Sequence, residues 1–113
     1  LEFMVIQCLV VLRWQRYLKG SLCSMYNYDK AKEILGDKVI VIAIEELAEL
    51  SQQLTKGLRG KMNREHLLEE YADCLIVMEW IKRYYDLSDE ELKEWLDKKN
   101  ERNRKKIEEG VFR

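Results

Sequence analysis

Two short segments of the chain carry the same pattern of carboxylates. Residues 45–50 read Glu-Glu-Leu-Ala-Glu-Leu, and residues 69–74 read Glu-Glu-Tyr-Ala-Asp-Cys. Residues three apart lie on one face of a helix, so each segment presents a pair of acids on one side. These pairs are Glu46 with Glu49 and Glu70 with Asp73. Four carboxylates brought together repel one another unless they take up protons or bind a cation. All-oxygen ligation suits Mg²⁺, with Mn²⁺ as a substitute and water completing the coordination.

Both acidic pairs lie in segments whose apolar residues recur at helical spacing. The spacing predicts helices over 38–56 and 64–84, although the four β-branched residues at 39–42 would also suit a strand. On a helical wheel each segment has an apolar stripe and, beside it, an acidic stripe that further apolar residues continue. The apolar stripes are Ile40, Ala43, Ile44, Leu47, Leu50 and Leu54, and Leu67, Leu68, Tyr71, Cys74, Leu75 and Met78; the acidic stripes are Ile42, Glu46, Glu49 and Gln53, and His66, Glu70, Asp73 and Val77. Acids flanked by apolar residues on their own face are expected to point into the protein.

The other elements are also expected to be helical, because the chain has no proline and only five glycines. We expect a helix over 4–19, a connection over 21–28 and a short helix over 29–35 that Gly36 stops. A glycine-containing loop over 57–63 separates the two acidic helices. Ser88 and Glu91 form a capping-box pattern, which predicts a last helix that reaches residue 109. The fold class predicted is therefore all-α, a helical bundle.

Bulk properties limit what the chain can be. A length of 113 residues suits one domain over 1–113, in which residues 1–3, ahead of Met4, look like a cloning remnant. A net charge of −1 argues against nucleic-acid binding. The apolar stretch at 3–12 is too short to cross a membrane. Three cysteines without CxxC spacing are expected to be reduced, buried thiols, which favours a cytoplasmic protein.

The predicted last helix carries a second group of polar residues. Leu92, Trp95 and Leu96 form its expected buried stripe, and Lys99 and Asn103 continue that stripe one and two turns later. A lysine and an amide turned inward would suit phosphate oxygens and the edge of a sugar or base. The helix could equally leave the core at this point and have a solvated end, and the sequence does not separate these two interpretations.

The succession of EExxE and ExxD resembles the MazG-like, all-α nucleoside triphosphate pyrophosphohydrolases, and the similarity is densest over 38–84. The resemblance implies an antiparallel pair of helices that carries the two motifs, with metal ligands at Glu46, Glu49, Glu70 and Asp73. It also implies phosphate or sugar contacts at Lys99 and Asn103, although Lys98 and Arg102 offer a competing register. Members of this superfamily associate through their helices, so the resemblance implies a homodimer or homotetramer.

The activity that the resemblance implies is Mg²⁺-dependent hydrolysis of a (deoxy)nucleoside triphosphate to the monophosphate and pyrophosphate, which would clear surplus or non-standard nucleotides. Glu46 and Glu49 are the candidates for the general base. Lys99 and Arg102 would stabilise phosphate charge, and Asn103 would contact the sugar or base. Two alternatives remain: a relative that acts on phosphoribosyl-ATP, and a non-catalytic helical oligomerisation module whose acids are only solvated.

Overall fold

The computed structural model describes residues 22–110, with side chains from residue 27 onward, and every regular element within that range is a helix. The helices are α1 (Leu22–Leu35), α2 (Lys38–Leu58), α3 (Arg64–Tyr84) and α4 (Asp89–Glu108). The all-α prediction is confirmed over these residues. The helix predicted over 4–19 lies outside them. Helices α1, α2 and α3 belong to one compact unit, and α4 belongs to a second unit and is described by itself. None of the described helices is both long and apolar enough to span a membrane.

The ends of the helices follow from local capping chemistry. Helix α3 begins and ends at the predicted residues, and the Asn63 side chain accepts a hydrogen bond of 3.1 Å from the backbone N–H of His66. The capping box of α4 is present, with hydrogen bonds in both directions between Ser88 and Glu91. Helix α2 runs two residues beyond the predicted end at Lys56. Gly60, at φ 75°, follows it in the left-handed conformation that glycine adopts without strain.

Helix α1 corrects the prediction of a connection over 21–28, because the chain is already helical from Leu22. No proline or glycine interrupts residues 22–35, and aromatic contacts join this stretch to α3. Tyr28 is buried, and its ring meets the Trp80 ring edge-on at 6.5 Å between centroids. The predicted stop at Gly36 is confirmed, with φ 58°.

The core of the unit lies between α2 and α3. Val39 and Ala43 from α2 are fully buried, and Cys74 and Val77 from α3 are nearly so. The β-branched residues at 39–42 are helical because packing on a neighbouring helix outweighs their weak preference for strands. Ala43 and Cys74 are small, which lets the two backbones approach. The Cys74 thiol donates a hydrogen bond of 3.3 Å to the carbonyl oxygen of Glu46.

Successive residues along α2 contact residues that lie progressively earlier in α3. The Tyr84 hydroxyl donates a hydrogen bond to the Asp37 carboxylate, which raises the pKa of Tyr84 to about 12. Farther along α2, Glu46 meets Cys74, and then Glu49 meets Glu70. Asp37 directly precedes α2, but its side chain does not cap that helix. It is joined to Tyr84 instead, so it links the beginning of α2 to the end of α3.

Each predicted apolar stripe meets the other helix only at its edge, where Ala43 and Cys74 are buried, whereas most of the larger members of the stripes are exposed. Ile44 is 61% exposed, Leu54 51% and Tyr71 52%. The helices instead make contact along a line rotated toward the acids, where the side chains are small. Large aliphatic side chains on this line would hold the backbones apart, whereas Ala43 lets them close. The expected buried stripe of α4 is also wrong in part, because Trp95 is 52% exposed.

Overpacking the contact between α2 and α3 is expected to destabilise the fold. Replacing Ala43 with Leu adds three carbons at a fully buried position, which should lower the free energy of unfolding by about 1–3 kcal/mol. Ala48→Leu is the matched control, because it makes the same change on the exposed side of α2. Urea unfolding followed by circular dichroism measures both variants. Equal stability of the two would contradict the assignment of Ala43 to the helix contact.

Candidate metal centre

Three glutamates from two helices converge on one point. Glu46, Glu49 and Glu70 each offer a carboxylate oxygen, and these three oxygens lie within 4.8 Å of one another. Glu46 and Glu49 lie one turn apart on α2, so the i, i+3 spacing puts both on the side that faces α3. Glu70 reaches the same point from α3. Its approach depends on the close packing at Ala43 and Cys74, which brings the two helices together.

Two of these carboxylates are partly withdrawn from water. Glu46 and Glu70 are half-buried, and Glu49 is exposed. The Oε2 atoms of Glu46 and Glu70 are both inaccessible to solvent, and neither has a hydrogen-bond partner among the described residues. A buried oxygen without a partner costs free energy, so the folded chain retains two acceptors that its own described groups leave unsatisfied.

The environment raises the pKa of Glu46. Burial is the largest cause, because it disfavours the charged carboxylate. The negative charges of Asp73, Glu49 and Glu70 add to the effect, and a hydrogen bond with Asp73 favours the protonated form of Glu46. The fourth predicted ligand, Asp73, therefore lies beside Glu46, although it is not one of the three residues whose oxygens meet within 4.8 Å.

The pKa of Glu70 is raised in the same way. Burial again comes first, followed by a hydrogen bond with Glu49 and the charges of Glu49, Asp73 and Glu69. The cluster thus contains two pairs of acids, and in each pair the pKa of one carboxyl, that of Glu46 or Glu70, is raised. A divalent cation would offset the repulsion that contributes to these shifts and would compete with protons for the same oxygens. The donor set is all oxygen, which suits Mg²⁺ or Mn²⁺.

Cys74 is a neighbour of the cluster that the sequence indicated only as a core thiol. Its hydrogen bond to the Glu46 carbonyl joins α3 to the turn of α2 that carries Glu46 and Glu49. Burial raises the pKa of the Cys74 thiol, and the charges of the four acids raise it further. The thiol therefore stays protonated and donates, as a buried structural contact does. In the sequence, this contact with α2 is indicated only by the position of Cys74, directly after Asp73 and within the predicted apolar stripe.

The acids adjacent to the motif positions face outward. Glu45 and Glu69 are exposed. His66, on the acidic stripe one turn before Glu70, is exposed as well, and its backbone N–H takes part in the cap of α3. The carboxylates that converge are thus only some of the acids in the two motif segments.

The predicted substrate-binding residues lie on α4. Lys99, Arg102 and Asn103 are all exposed on that helix. The competing residue Lys98 has its ammonium 5.0 Å from the centre of the Trp95 ring, a cation–π contact. Farther along α4, the Arg104 guanidinium forms ion pairs with the carboxylates of Glu101 and Glu108, with N–O distances of 2.6 and 2.8 Å. This end of α4 therefore has a solvated surface with its own ion pairs.

The chain matches no protein-family profile, no curated protein and no solved structure. The motifs and the geometry of the acidic cluster are therefore the features that indicate its function.

Removing one carboxylate from the cluster is expected to stabilise the metal-free protein at neutral pH. Folding raises the pKa of Glu46 and of Glu70, so the folded state binds protons more tightly than the unfolded chain. Their contribution favours folding at low pH and is lost as the pH rises above about 4.5, the ordinary value for glutamate. Glu46→Gln and Glu70→Gln should each raise the melting temperature by a few degrees at pH 8 in EDTA.

The difference between wild type and each variant should shrink as the pH falls toward 4.5, and differential scanning fluorimetry across pH measures it. Glu45→Gln removes an exposed acid from the same turn of α2 and serves as the control. A loss of stability at pH 8 in both cluster variants would show that these carboxylates do not repel one another.

Proposed function

We propose that this chain is a Mg²⁺-dependent hydrolase that converts nucleoside triphosphates to monophosphates and pyrophosphate. The observation that carries the proposal is the convergence of Glu46, Glu49 and Glu70, with two buried carboxylate oxygens that lack partners among the described residues. Exposed acids on a solvated helix would not be held in this way. The EExxE and ExxD motifs, and the family they resemble, supply the reaction.

The reverse order of contacts between α2 and α3 supports an antiparallel pair of helices. In that arrangement Glu46, Glu49 and Glu70 would hold the cation, and Asp73 would either join them or hold Glu46 in place through their hydrogen bond. Bound Mg²⁺ neutralises phosphate charge and lowers the pKa of a coordinated water. We expect one face of the cluster to stay open to a triphosphate, because Glu49 is exposed.

The reaction requires a proton acceptor from the chain. The attacking water forms a bond to the α-phosphorus while the bond to the bridging oxygen breaks and pyrophosphate leaves with that oxygen. The proton of the water passes to a carboxylate, for which Glu46 and Glu49 are the candidates. By holding Mg²⁺, the three carboxylates would also fix the position of the phosphates, and such positioning is a large part of catalysis in phosphoryl transfer.

The family resemblance also assigns substrate contacts to three residues of α4. Lys99 and Arg102 are exposed cations of the kind that bind phosphate oxygens, and Asn103 is an exposed amide of the kind that contacts a sugar or base. Their assignment follows from the family resemblance. The resemblance also supports a homodimer or homotetramer as the working form.

The first experiment measures pyrophosphate release from the standard ribo- and deoxyribonucleoside triphosphates and from phosphoribosyl-ATP. Wild type should release pyrophosphate with Mg²⁺ and not with EDTA. Glu49→Gln should lower kcat by a factor on the order of a hundred or more, as loss of a metal ligand or general base does. Glu45→Gln, an exposed neighbour, should keep wild-type activity.

The same samples give a result that does not depend on choosing the right substrate. Mg²⁺ should raise the melting temperature of wild type and of Glu45→Gln, and this rise should be lost in Glu49→Gln. No turnover of any substrate, together with no effect of Mg²⁺ on melting, would overturn the proposal and favour the non-catalytic helical module.

Two neighbouring lysines test the register of α4. If Lys99 contacts phosphate oxygens, Lys99→Ala should lower kcat/KM about tenfold or more, because a charge-assisted hydrogen bond is lost. Lys98→Ala makes the same change one residue earlier, where the ammonium lies near the Trp95 ring, and should leave kcat/KM within about twofold of wild type. The opposite order of effects would assign the contact to the competing register, Lys98 and Arg102.

A further inference from the structure

The turn that joins α2 to α3 carries a concentration of positive charge. Residues 56–64 contain four cations and no acid, and all four cations are exposed. No carboxylate of the described residues pairs with any of them, whereas Lys32 and Arg83 of the same compact unit each pair with an acid, at 3.7 and 3.3 Å. The charge of these four side chains is therefore available to an anion from outside the chain. We call them the tip cations: Lys56, Arg59, Lys61 and Arg64.

The backbone of this turn is arranged by contacts of its own. The Lys56 carbonyl accepts hydrogen bonds from the N–H groups of Arg59 and Lys61, at 3.1 and 2.9 Å. The Met62 side chain lies so close to Gly57 that a Cβ at that position would collide with the methyl group of Met62. The backbone that carries the tip cations is thus ordered before any anion binds, which lowers the entropy lost on binding.

The first turn of α3 adds to the positive charge at this end of the helix pair. Helix α3 begins at Arg64, and the Asn63 side chain accepts a hydrogen bond from the N–H of His66. The N–H groups of Arg64 and Glu65 have no acceptor within the helix, because the first N–H groups of any α-helix lack one. The partial positive charge at the start of this 21-residue helix therefore lies beside the tip cations.

The tip cations lie on the same side of α2 as the metal centre. Lys56 follows Glu49 by seven residues, which places it about 10 Å farther along the helix axis and within about 20° of the same direction around it. The residue between them on this face is Gln53, and the Cα–Cβ bond of Lys56 is tilted back toward Glu49. On α3 the acid nearest the turn, Glu65, is about 140° from Glu70 around the helix. The surface that runs from the carboxylates to the turn therefore changes from negative to positive.

This order of charges is complementary to a polyphosphate that carries a divalent cation. The carboxylates would hold the cation at one end of the phosphate chain, and the tip cations would bind the negative oxygens at the other end. A nucleic acid is less complementary, because an extended phosphate backbone at the tip cations would also pass the acids of the cluster. The metal centre and the tip cations belong to one compact unit, so this order of charges is a property of α2 and α3 alone.

We propose that the tip cations bind the terminal phosphate of the substrate and thereby select nucleoside triphosphates over diphosphates. A triphosphate held at the metal centre has one more phosphate with which to reach Lys56, and a diphosphate lacks it. The identity of the substrate rests on the proposed function. The binding of a polyphosphate by the tip cations does not depend on turnover, so it can be tested separately.

Binding of inorganic triphosphate in EDTA tests the tip cations without metal and without turnover. Isothermal titration calorimetry at low ionic strength should show binding to wild type. Lys56→Gln and Arg59→Gln should each weaken it about three- to tenfold, as the loss of one charge-assisted contact at an exposed site does. Lys38→Gln is the matched control, because it removes the same charge from an exposed position at the other end of α2. It should bind triphosphate as wild type does.

The selection of triphosphates is measured with substrates in the presence of Mg²⁺. The ratio of kcat/KM for a nucleoside triphosphate to kcat/KM for the matching diphosphate should fall about tenfold in Lys56→Gln, because only the triphosphate loses a contact. Lys38→Gln should keep the wild-type ratio. A variant that were merely less stable would lose activity on both substrates and keep the ratio unchanged.

Two results would overturn the inference. One is triphosphate binding that Lys56→Gln and Arg59→Gln weaken no more than Lys38→Gln does. The other is tighter binding of a single-stranded oligonucleotide than of triphosphate at the same salt concentration, which would assign the tip cations to a nucleic acid. If no nucleotide is turned over, loss of triphosphate binding in the tip variants alone would still support the polyphosphate site while the proposed reaction failed. Turnover with unchanged binding and selectivity in these variants would leave the reaction standing without this inference.

Discussion

Close packing of α2 against α3 brings negatively charged carboxylates together. The metal centre depends on the balance between this packing and the repulsion among the carboxylates. Ala43 and Cys74 are small enough for the backbones to approach, and their approach carries Glu46 and Glu49 to Glu70. The free energy gained by burying this contact opposes the repulsion among the acids. Replacing one acid with an amide would relieve this repulsion.

The sequence predicted the helices well where capping groups mark their ends. Asn63 before α3 and Ser88 before α4 bind the free N–H groups of the following turn, so both starts were predictable from local chemistry. The start of α1 was missed because polar residues over 24–29 resemble a loop, and only the packing of Tyr28 on Trp80 reveals the helix. The convergence of Glu46 and Glu49 with Glu70 followed from periodicity on two helices.

Periodicity could not tell which face of each helix meets the other. On α2 the apolar stripe and the acidic stripe are adjacent, and the contact falls at their border: Ala43 belongs to the apolar stripe, and Val39 belongs to neither. Side-chain size decides this choice, since the closest approach needs the smallest residues. A sequence pattern also records that a surface is apolar without recording what covers it. Ile44 and Tyr71 are apolar residues of this kind, exposed on the chain taken alone.

The hydrogen bond from Tyr84 to Asp37 has a consequence for how the two helices respond to protons. This hydrogen bond joins the two helices at one end of the pair, and the turn over 59–63 joins them at the other. Both links oppose a shift of α2 along α3 by one turn. With a pKa of about 12, Tyr84 keeps its proton at any pH that a cell reaches. The hydroxyl therefore remains available to donate to Asp37 while it holds the end of α3 beside the beginning of α2. Links at both ends of the pair favour one alignment of the two helices, and that alignment sets the spacing of Glu46, Glu49 and Glu70.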